Sequence, residues 1–280
     1  SAEGIPALEF TKGELHKFRF MNASTAVEHT ISVQNHKMRI THTDGRQLEK
    51  PMISESVTIY PGERVDVEVL ADGEVGQTYY LVTNRPEFGI KMPIRYTNEI
   101  VEQVKSPLPT SSLKGFAGID EKQVDFELFL NSRMKQSTSS NSSNNDSMMG
   151  MAGHSMMNNM SNQDSSNQMT EWTINDNVFP NVPPMNVKVG EVMKVRIHNN
   201  DNNGMHAMNH PMHLHGGYFQ VVSRNGVRPD QNIFKDTINI PPGEYVDIAF
   251  SLKEVGDWML HCHILDHEDG GMMMVVRTSK

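Results

Sequence analysis

Gly13-Glu-Leu-His-Lys-Phe-Arg-Phe-Met-Asn22 recurs later in the chain as Gly190-Glu-Val-Met-Lys-Val-Arg-Ile-His-Asn199. A second pair follows in the same order, with Pro61-Gly-Glu-Arg-Val-Asp-Val67 matched by Pro242-Gly-Glu-Tyr-Val-Asp-Ile248. Repeats that keep their order and spacing indicate two copies of one supersecondary plan. At 280 residues the chain is long enough for two domains that each bury a core.

Apolar and polar residues alternate within both copies, as they do around Val65 and Val67. A period of two is typical of half-buried strands, and Gly, Pro, Asn and Asp separate the runs. Many short strands with such turns predict an all-β chain built of sandwich or barrel domains. We place the first domain at 1–105, a linker at 106–121 and the second domain at 122–280.

A segment of low complexity interrupts the second domain at 134–169. It consists mostly of Ser, Asn, Gln and Met, with seven methionines from Met148 to Met169. Because it has few aliphatic or aromatic residues with which to form a core, we predict a disordered loop. Residues 124–130, just before it, have the pattern of a strand that belongs to the second domain.

The composition argues against several classes of function. A formal net charge of -9 and a pI near 5.8 are unfavourable for a nucleic-acid-binding surface. No apolar run approaches the roughly 18 residues of a membrane helix, so we expect no membrane span. Residues 1–6 include neither a basic segment nor an apolar run, so we expect no signal peptide within these 280 residues. The compartment stays open, with the cell envelope or secretion favoured over the cytoplasm.

Histidines concentrate in two short motifs, His210-Pro-Met-His-Leu-His215 and His261-Cys-His-Ile-Leu-Asp-His267. On an extended strand the two histidines of each His-x-His leave the same face. Cys262, the only cysteine, then points to the opposite face. The second motif can therefore supply one metal site on each face of its strand.

The residue types in these motifs favour copper. One thiolate, two imidazoles and a weak thioether form the trigonal blue-copper site, and Met272 follows a Gly270-Gly271 turn. Zinc usually takes four stronger ligands in a tetrahedron, often with paired cysteines. A lone Cys262 or a single His-x-His can occur without a metal, but the two motifs together, in this order, indicate a site.

Extended to Gly216 and to Met272, the two motifs closely resemble the C-terminal copper motifs of multicopper oxidases. The bacterial laccase-like and cuprous oxidases are the most similar group. The resemblance extends over the whole chain, as the second and third cupredoxin domains of a three-domain enzyme. It implies two cupredoxin-like Greek-key β-sandwich domains, with copper ligands only in the C-terminal one.

The resemblance implies a role for each residue that matches the motifs. It implies type 1 copper ligands at His210, Cys262, His267 and Met272. It implies a type 2 copper ligand at His213, and ligands of the type 3 pair at His215, His261 and His263. Glu268 matches an acidic residue that helps to deliver protons during oxygen reduction, with an ordinary solvated carboxylate as the alternative.

The resemblance also implies a mechanism and partners. A reductant such as Cu(I) or a phenol gives single electrons to the type 1 copper. The electrons cross through Cys262 and its flanking histidines to a trinuclear cluster that reduces O₂ to water. The protein supplies ligand geometry and hydrogen bonds, while the metals carry out the redox chemistry.

The first repeat has the domain plan without the ligands. Alignment on the glycines that follow places Ser32 and Gln34 opposite the first His-x-His. It places Leu81, Val82 and Thr83 opposite His-Cys-His. We therefore predict a structural domain, whose histidines are exposed or hydrogen-bonded: His29, His36 and His42.

Half of the trinuclear cluster is missing from this sequence. Multicopper oxidases hold the cluster with eight histidines, four of them from an N-terminal domain, whereas only two His-x-His motifs occur here. The chain therefore resembles a fragment or one part of a split enzyme, whose missing partner is an N-terminal cupredoxin domain. We predict that alone it binds at most type 1 copper stably and does not turn over O₂.

The methionines favour Cu(I) as a substrate. Thioethers are soft ligands that prefer Cu(I), and the insert resembles the Met-rich inserts with which cuprous oxidases gather Cu(I). Met205, Met208 and Met212 cluster in sequence beside His210. A low-complexity linker without a metal role is the alternative.

Two other functions remain open. A non-catalytic copper protein, either a blue-copper electron carrier or a Cu(I) buffer, would leave four histidines without a role. A two-domain copper nitrite reductase has a histidine only before its type 1 cysteine, whereas His263 also follows Cys262 here.

Overall fold

The structure is a computed structural model that describes residues 6–84, 89–103, 111, 113–120, 122–135, 170–201 and 207–280. Twenty strands and one short helix make up the regular structure of these residues, which confirms the all-β prediction. The predicted disorder at 134–169 lies outside the described residues, apart from the first two positions. Within the described ranges, no helix is long and apolar enough to cross a membrane.

The first sandwich packs a five-stranded sheet, in the order β1-β9-β8-β3-β6, against a four-stranded sheet, in the order β2-β7-β4-β5. Its strands are β1 (Leu8–Lys12), β2 (Leu15–Met21), β3 (His29–Val33), β4 (Met38–Thr43), β5 (Arg46–Ser54), β6 (Ser56–Ile59), β7 (Arg64–Leu70), β8 (Thr78–Thr83) and β9 (Lys91–Ile100). The alternating residues of β7 supply part of its core, with Val65, Val67 and Val69 all buried.

The second sandwich packs a six-stranded sheet, β11-β10-β13-β18-β15-β16, against a five-stranded sheet, β12-β20-β19-β14-β17. Its elements are β10 (Phe126–Met134), β11 (Thr170–Ile174), β12 (Met185–Lys188), β13 (Met193–Asn199), β14 (His210–Leu214), β15 (Phe219–Arg224), β16 (Ile233–Lys235), β17 (Thr237–Ile240), β18 (Tyr245–Phe250), β19 (Gly256–Cys262), α1 (Leu265–Asp269) and β20 (Met273–Ser279). A separate core fills it.

The sequence repeat is a structural repeat. The first repeated motif becomes β2 in one sandwich and β13 in the other, while the second motif leads into β7 and β18. β2 pairs antiparallel with β7, and β13 pairs antiparallel with β18. Two copies of one plan, as predicted, are therefore present in the same strand order.

The strand predicted at 124–130 belongs to the second sandwich. It is β10, which begins at Phe126 and continues to Met134, into the predicted insert. It pairs with β11 and β13. Part of the predicted linker also packs on this sandwich, because Phe116 and Ile119 contact Val222 and Ala249.

The two sandwiches contact each other through β16. Ile233 packs against both cores. Polar contacts continue this interface, with Thr43 donating to the carbonyl of Phe234 and Gln231 bonded to the backbone of Lys50. The side of the second sandwich that carries the outward-facing histidines of β14 lies close to this interface.

Candidate metal centre

Two neighbouring strands, β14 and β19, bring the two histidine motifs together. They pair antiparallel, with Met212 opposite Cys262 and His213 opposite His261. Residues directly opposite each other share a face, and the face alternates along each strand. Cys262 and Met212 therefore point into the sandwich, while His213 and His261 point out of it, as the sequence predicted.

The inner pocket contains His210, Cys262 and His267, all of them buried. Nδ1 of His267 lies 3.5 Å and Nδ1 of His210 lies 3.8 Å from the sulfur of Cys262. The two Nδ1 atoms are 3.1 Å apart. One ligand atom from each residue therefore faces a common point.

This triangle fits a three-coordinate copper ion. With metal–nitrogen bonds near 2.0 Å and a metal–sulfur bond near 2.3 Å, a trigonal centre separates its nitrogens by about 3.5 Å and each nitrogen from sulfur by about 3.7 Å. The distances among His210, Cys262 and His267 lie within a few tenths of an ångström of these values. Thiolate and imidazole are also the donor set of blue copper.

Met272 is buried in the same core as Cys262. Gly271, at a φ of 106°, turns the chain back after α1, so that the Met272 amide donates to the carbonyl of His267 at 2.9 Å. The Cys262 amide donates to the carbonyl of Met272 at 3.0 Å. The predicted return of Met272 to the pocket is thus present in the backbone.

Burial sets the protonation of the inner ligands in the metal-free protein. It lowers the pKa of His267 to about 3, and it lowers the pKa of His210 as well. Both imidazoles are therefore neutral near pH 7, which is the form that binds a metal. Burial raises the pKa of the Cys262 thiol far above its ordinary value, so that metal binding at this residue must displace a proton.

Sequence reasoning missed two residues that surround this pocket. Trp172 stacks on His267 with ring centroids 3.6 Å apart and contacts His210 edge-on at 5.6 Å. Asp201 places Oδ2 3.7 Å from Nε2 of His210, and Ser132 holds its other oxygen at 2.5 Å. Neither residue lies within a ligand motif, so only the folded chain shows the contact.

The outer pocket brings together His213, His215 and His261, each with a ring nitrogen within 4.8 Å of the other two. Nε2 of His215 and Nε2 of His261 are 3.0 Å apart. Nδ1 of His261 lies 2.9 Å from the carbonyl of Cys262, so a proton there leaves Nε2 free to bind a metal. Burial lowers the pKa of His261 to about 4, and the neighbouring histidines add to the effect.

His263 lies at the edge of the outer pocket. Its ring centroid is 5.7 Å from that of His213 and 5.9 Å from that of His261. It is not part of the set of three whose nitrogens converge. Its ring packs instead against Gly62 of the first sandwich, where a Cβ would overlap the imidazole.

Glu268 stands beside the outer pocket, on α1. Its Oε2 lies 3.3 Å from Nδ1 of His261, and about a third of its side chain is exposed. Burial raises the pKa of Glu268, although the charges of His263 and His213 oppose the shift. The carboxyl group therefore has both solvent access and contact with a candidate ligand.

His213 is held by residues that sequence reasoning also missed. Its Nδ1 lies 2.9 Å from the carbonyl oxygen of Asp236 and 3.0 Å from Oγ1 of Thr237. Hydrogen bonds of this kind fix the tautomer and orientation of metal-binding histidines. Asp236 and Thr237 are remote from His213 in sequence, and no short motif connects them.

In the first sandwich, His29 of β3 is the counterpart of His210, because His29 pairs with Ile59 as His210 pairs with Ile240. The residues predicted to lie opposite the two His-x-His motifs include no histidine or cysteine: Ser32, Gln34, Leu81, Val82 and Thr83. The predicted alignment needs one correction, because Ser32 pairs with Val82 whereas His213 pairs with His261. Taken together, the alignment of Ser32 with His213 and the alignment of Leu81 with His261 therefore differ by one residue from the observed strand pairing.

The prediction for His29, His36 and His42 holds for two of these three residues. His36 and His42 are hydrogen-bonded as predicted. His29 is half-buried, and its Nδ1 has no hydrogen-bond partner among the described residues.

The methionine cluster beside His210 is not a single surface. Met212 is fully buried in the sandwich core, on the same face of β14 as His210. Met208 is 38% exposed. Met205, like the methionines from Met148 to Met169, lies outside the described residues. Met212 therefore belongs to the core, whereas Met208 reaches the surface.

Comparison with known proteins gives the same family in both halves of the chain. Two family profiles, each described as "Multicopper oxidase", match residues 2–104 and 151–280. The "Multicopper oxidase mco" of Staphylococcus epidermidis is 26% identical over 274 residues, which are 96% of this chain and 49% of that protein. The "Copper resistance protein A" of Escherichia coli is 31% identical over 109 residues, 39% of this chain and 17% of that protein.

Among solved structures, a multi-copper oxidase from Pediococcus acidilactici superposes with a TM-score of 0.72 at 23% identity. The match covers 98% of this chain and 51% of that one. At this identity the likeness shows the fold, which is the cupredoxin-like fold that the motifs implied. The chain spans about half the length of the Staphylococcus epidermidis and Pediococcus acidilactici proteins.

Proposed function

Because this chain belongs to the multicopper oxidase family, we propose that it is the part of such an enzyme that takes up electrons and passes them toward O₂. The observation that carries the proposal is the pair of pockets on opposite faces of one strand. Cys262 belongs to the inner pocket, and its direct neighbour His261 belongs to the outer one. Cys262 thus joins the two pockets through a few covalent bonds.

The chain's own residues bind the copper ions, orient the ligands and shield the inner pocket from water. Copper, when bound, supplies one-electron redox chemistry at the inner pocket and the reduction of O₂ to water at the outer one. His210, Cys262 and His267 hold the inner ion, with Met272 as a weaker fourth ligand. His213, His215, His261 and His263 provide the outer imidazoles. Glu268 holds a proton next to His261, between solvent and the outer pocket, and delivers it there.

Two lines support Cu(I) as the electron donor, with a phenolic or aromatic compound as the alternative. The sequence of the insert is rich in methionines, the soft ligands that Cu(I) prefers. One relative is described as a copper resistance protein. We propose that the insert gathers Cu(I); deleting residues 148–160 from the enzyme completed with its N-terminal domain should lower Cu(I) oxidation more than phenol oxidation. An equal loss for both would contradict the docking role.

The four outer histidines are half of the eight that the family uses. We therefore propose that an N-terminal cupredoxin domain completes the cluster, and that the 280-residue chain alone does not reduce O₂. Titration of this chain with Cu(II) should produce one blue copper per chain and no oxidase activity. Cys262→Ser should remove the blue colour. Stable retention of four coppers together with oxidase activity in this chain would contradict the proposal.

The second candidate function is a non-catalytic electron carrier or Cu(I) buffer. It accounts for the inner pocket and the methionines, but it gives no role to the 3.0 Å approach of His215 and His261. Addition of the N-terminal domain separates the two functions, because only the oxidase gains O₂ consumption from it.

A further inference from the structure

We propose that the first sandwich, although it carries no copper ligand, positions the ligand His213 through Arg64 and Asp236. The inference rests on the proposed copper-binding function of His213. It gives the first sandwich a part in the metal centre, where the sequence predicted only a structural domain. Arg64 touches no ligand and acts through Asp236, so it is a positioning residue.

Arg64 makes hydrogen bonds within the first sandwich as well as to the second. Its amide donates to Oδ1 of Asp44 at 2.9 Å, and its guanidinium donates to the carbonyls of Asp44 and Gly62, each at 3.2 Å. From there Nη1 and Nη2 donate to the two carboxylate oxygens of Asp236 at 2.5 and 2.6 Å. Such bidentate pairs are strong and geometrically specific.

Asp236 is the single residue between β16 and β17, and it contacts His213 through both its backbone and its side chain. Its carbonyl oxygen accepts from Nδ1 of His213 at 2.9 Å, while its carboxylate lies 3.5 Å from the same nitrogen. Thr237 donates to that carboxylate and presents its own oxygen to Nδ1. A proton fixed on Nδ1 leaves Nε2 free for a metal.

Asp44 of the first sandwich holds the backbone of the same segment. Its Oδ2 accepts from the amides of Asp236 and Thr237, both at 3.2 Å, and pairs with Lys235 at 3.1 Å. The Asp44 side chain is fully buried, so these contacts form away from water. Lys235, Asp236 and Thr237 are thus bonded to the first sandwich, and Asp236 among them is the acceptor for His213.

The tautomer of His213 tests the proposal without any metal. Long-range ¹H–¹⁵N NMR of the metal-free chain should show the proton on Nδ1 in the wild type. Arg64→Gln and Asp236→Asn should each give a mixture of Nδ1–H and Nε2–H. Arg196→Gln is the matched control, because Arg196 makes the same bidentate pair with Asp247 within the second sandwich.

Copper affinity of the enzyme completed with its N-terminal domain gives a second readout, with Cys262→Ser as background so that Cu(II) reports the outer pocket. Loss of an outer partner of a metal-bound histidine typically weakens binding about 10–100-fold. We expect the loss of Cu(II) affinity in Arg64→Gln to lie in this range. The Arg64→Gln/Asp236→Asn double variant should show the same loss, because both changes break the one connection from Arg64 through Asp236 to His213. Arg64→Lys, which keeps the charge without the fork, should show an intermediate loss even where Arg64→Gln fails to fold.

Two results would overturn the positioning role. One is an unchanged His213 tautomer in Arg64→Gln, together with a stability loss equal to that of Arg196→Gln. Arg64 would then only hold the two sandwiches together. The other is additive losses of affinity in the double variant. An outer pocket that binds no Cu(II) even when the N-terminal domain is added, while the tautomer still follows Arg64, would instead contradict the proposed function and support the positioning role.

Discussion

Trp172 stacks on His267 and forms one wall of the inner pocket. Its ring plane is 24° from parallel with the imidazole, and it leaves His267 only 1% exposed. Trp172 itself is 8% exposed. The indole therefore separates a candidate copper ligand from water, and the low pKa of His267 follows from the resulting burial.

The two tryptophans of the chain allow a direct test of metal binding beside Trp172. Trp258 lies on β19 four residues before Cys262, roughly 13 Å along the strand. In Trp258→Phe the remaining emission comes from Trp172, and we expect stoichiometric Cu(II) to quench most of it. In Trp172→Phe the emission comes from Trp258 and should fall much less. Equal quenching in both variants would argue against copper next to His267.

The buried histidines predict how the stability of the metal-free protein depends on pH. His267 and His261 have folded-state pKa values of about 3 and about 4, below the ordinary 6.5 that they regain on unfolding. The unfolded state therefore binds more protons below pH 6.5. Each such histidine lowers the free energy of unfolding by about 1.4 kcal/mol per pH unit between its two pKa values.

Chemical denaturation from pH 7 to pH 4.5 measures this effect. We expect the stability to be constant near pH 7 and to fall with acidification, with a shallower slope in His267→Gln. Depressed carboxyl pKa values act only at lower pH, because those groups regain ordinary values near 3.8 on unfolding. A flat profile down to pH 4.5 would contradict the buried, neutral state of these histidines.

At the scale of elements, β14 supplies candidate ligands to both pockets from one strand. His210 is fully buried and faces inward, and His213, three residues on, faces outward. We expect His210→Ala to abolish the blue colour of the copper-loaded chain and His213→Ala to preserve it. Visible absorption spectroscopy distinguishes the two variants, and loss of the blue colour in both would mean that the pockets do not function separately.

The same strands show how far sequence reasoning reached. Period-two alternation correctly placed Cys262 and the flanking histidines on opposite faces, because a strand's geometry is local. The register of β14 against β19 and the one-residue displacement in the first repeat depend on pairing between distant segments. Trp172 and Asp236 were missed for the same reason: their roles come from tertiary contacts, and neither residue lies within a ligand motif.

For the whole molecule, the first sandwich forms one wall of the outer pocket. Gly62, in the turn before β7, packs on His263, and the carbonyl of Thr25 accepts from the amide of Leu265 at the start of α1. Together with Arg64, these contacts place the ligand-free sandwich directly against the candidate ligands. The interface between the sandwiches therefore belongs to the metal centre as much as to the fold.

The structural repeat provides a matched pair of glycines to test this wall. Gly62 and Gly243 occupy the same Pro-Gly-Glu turn of the two sandwiches, at φ values of 82° and 75°. A Cβ at Gly243 would meet nothing within 4 Å, whereas one at Gly62 would overlap His263. Both alanine variants should lose about 1–2 kcal/mol of stability, because alanine disfavours the left-handed conformation. Only Gly62→Ala should shift the ring resonances of His263 and, in the enzyme completed with its N-terminal domain, weaken Cu(II) binding at the outer pocket. If Gly243→Ala has the same effect on His263, the contact across the interface is not what positions that ring.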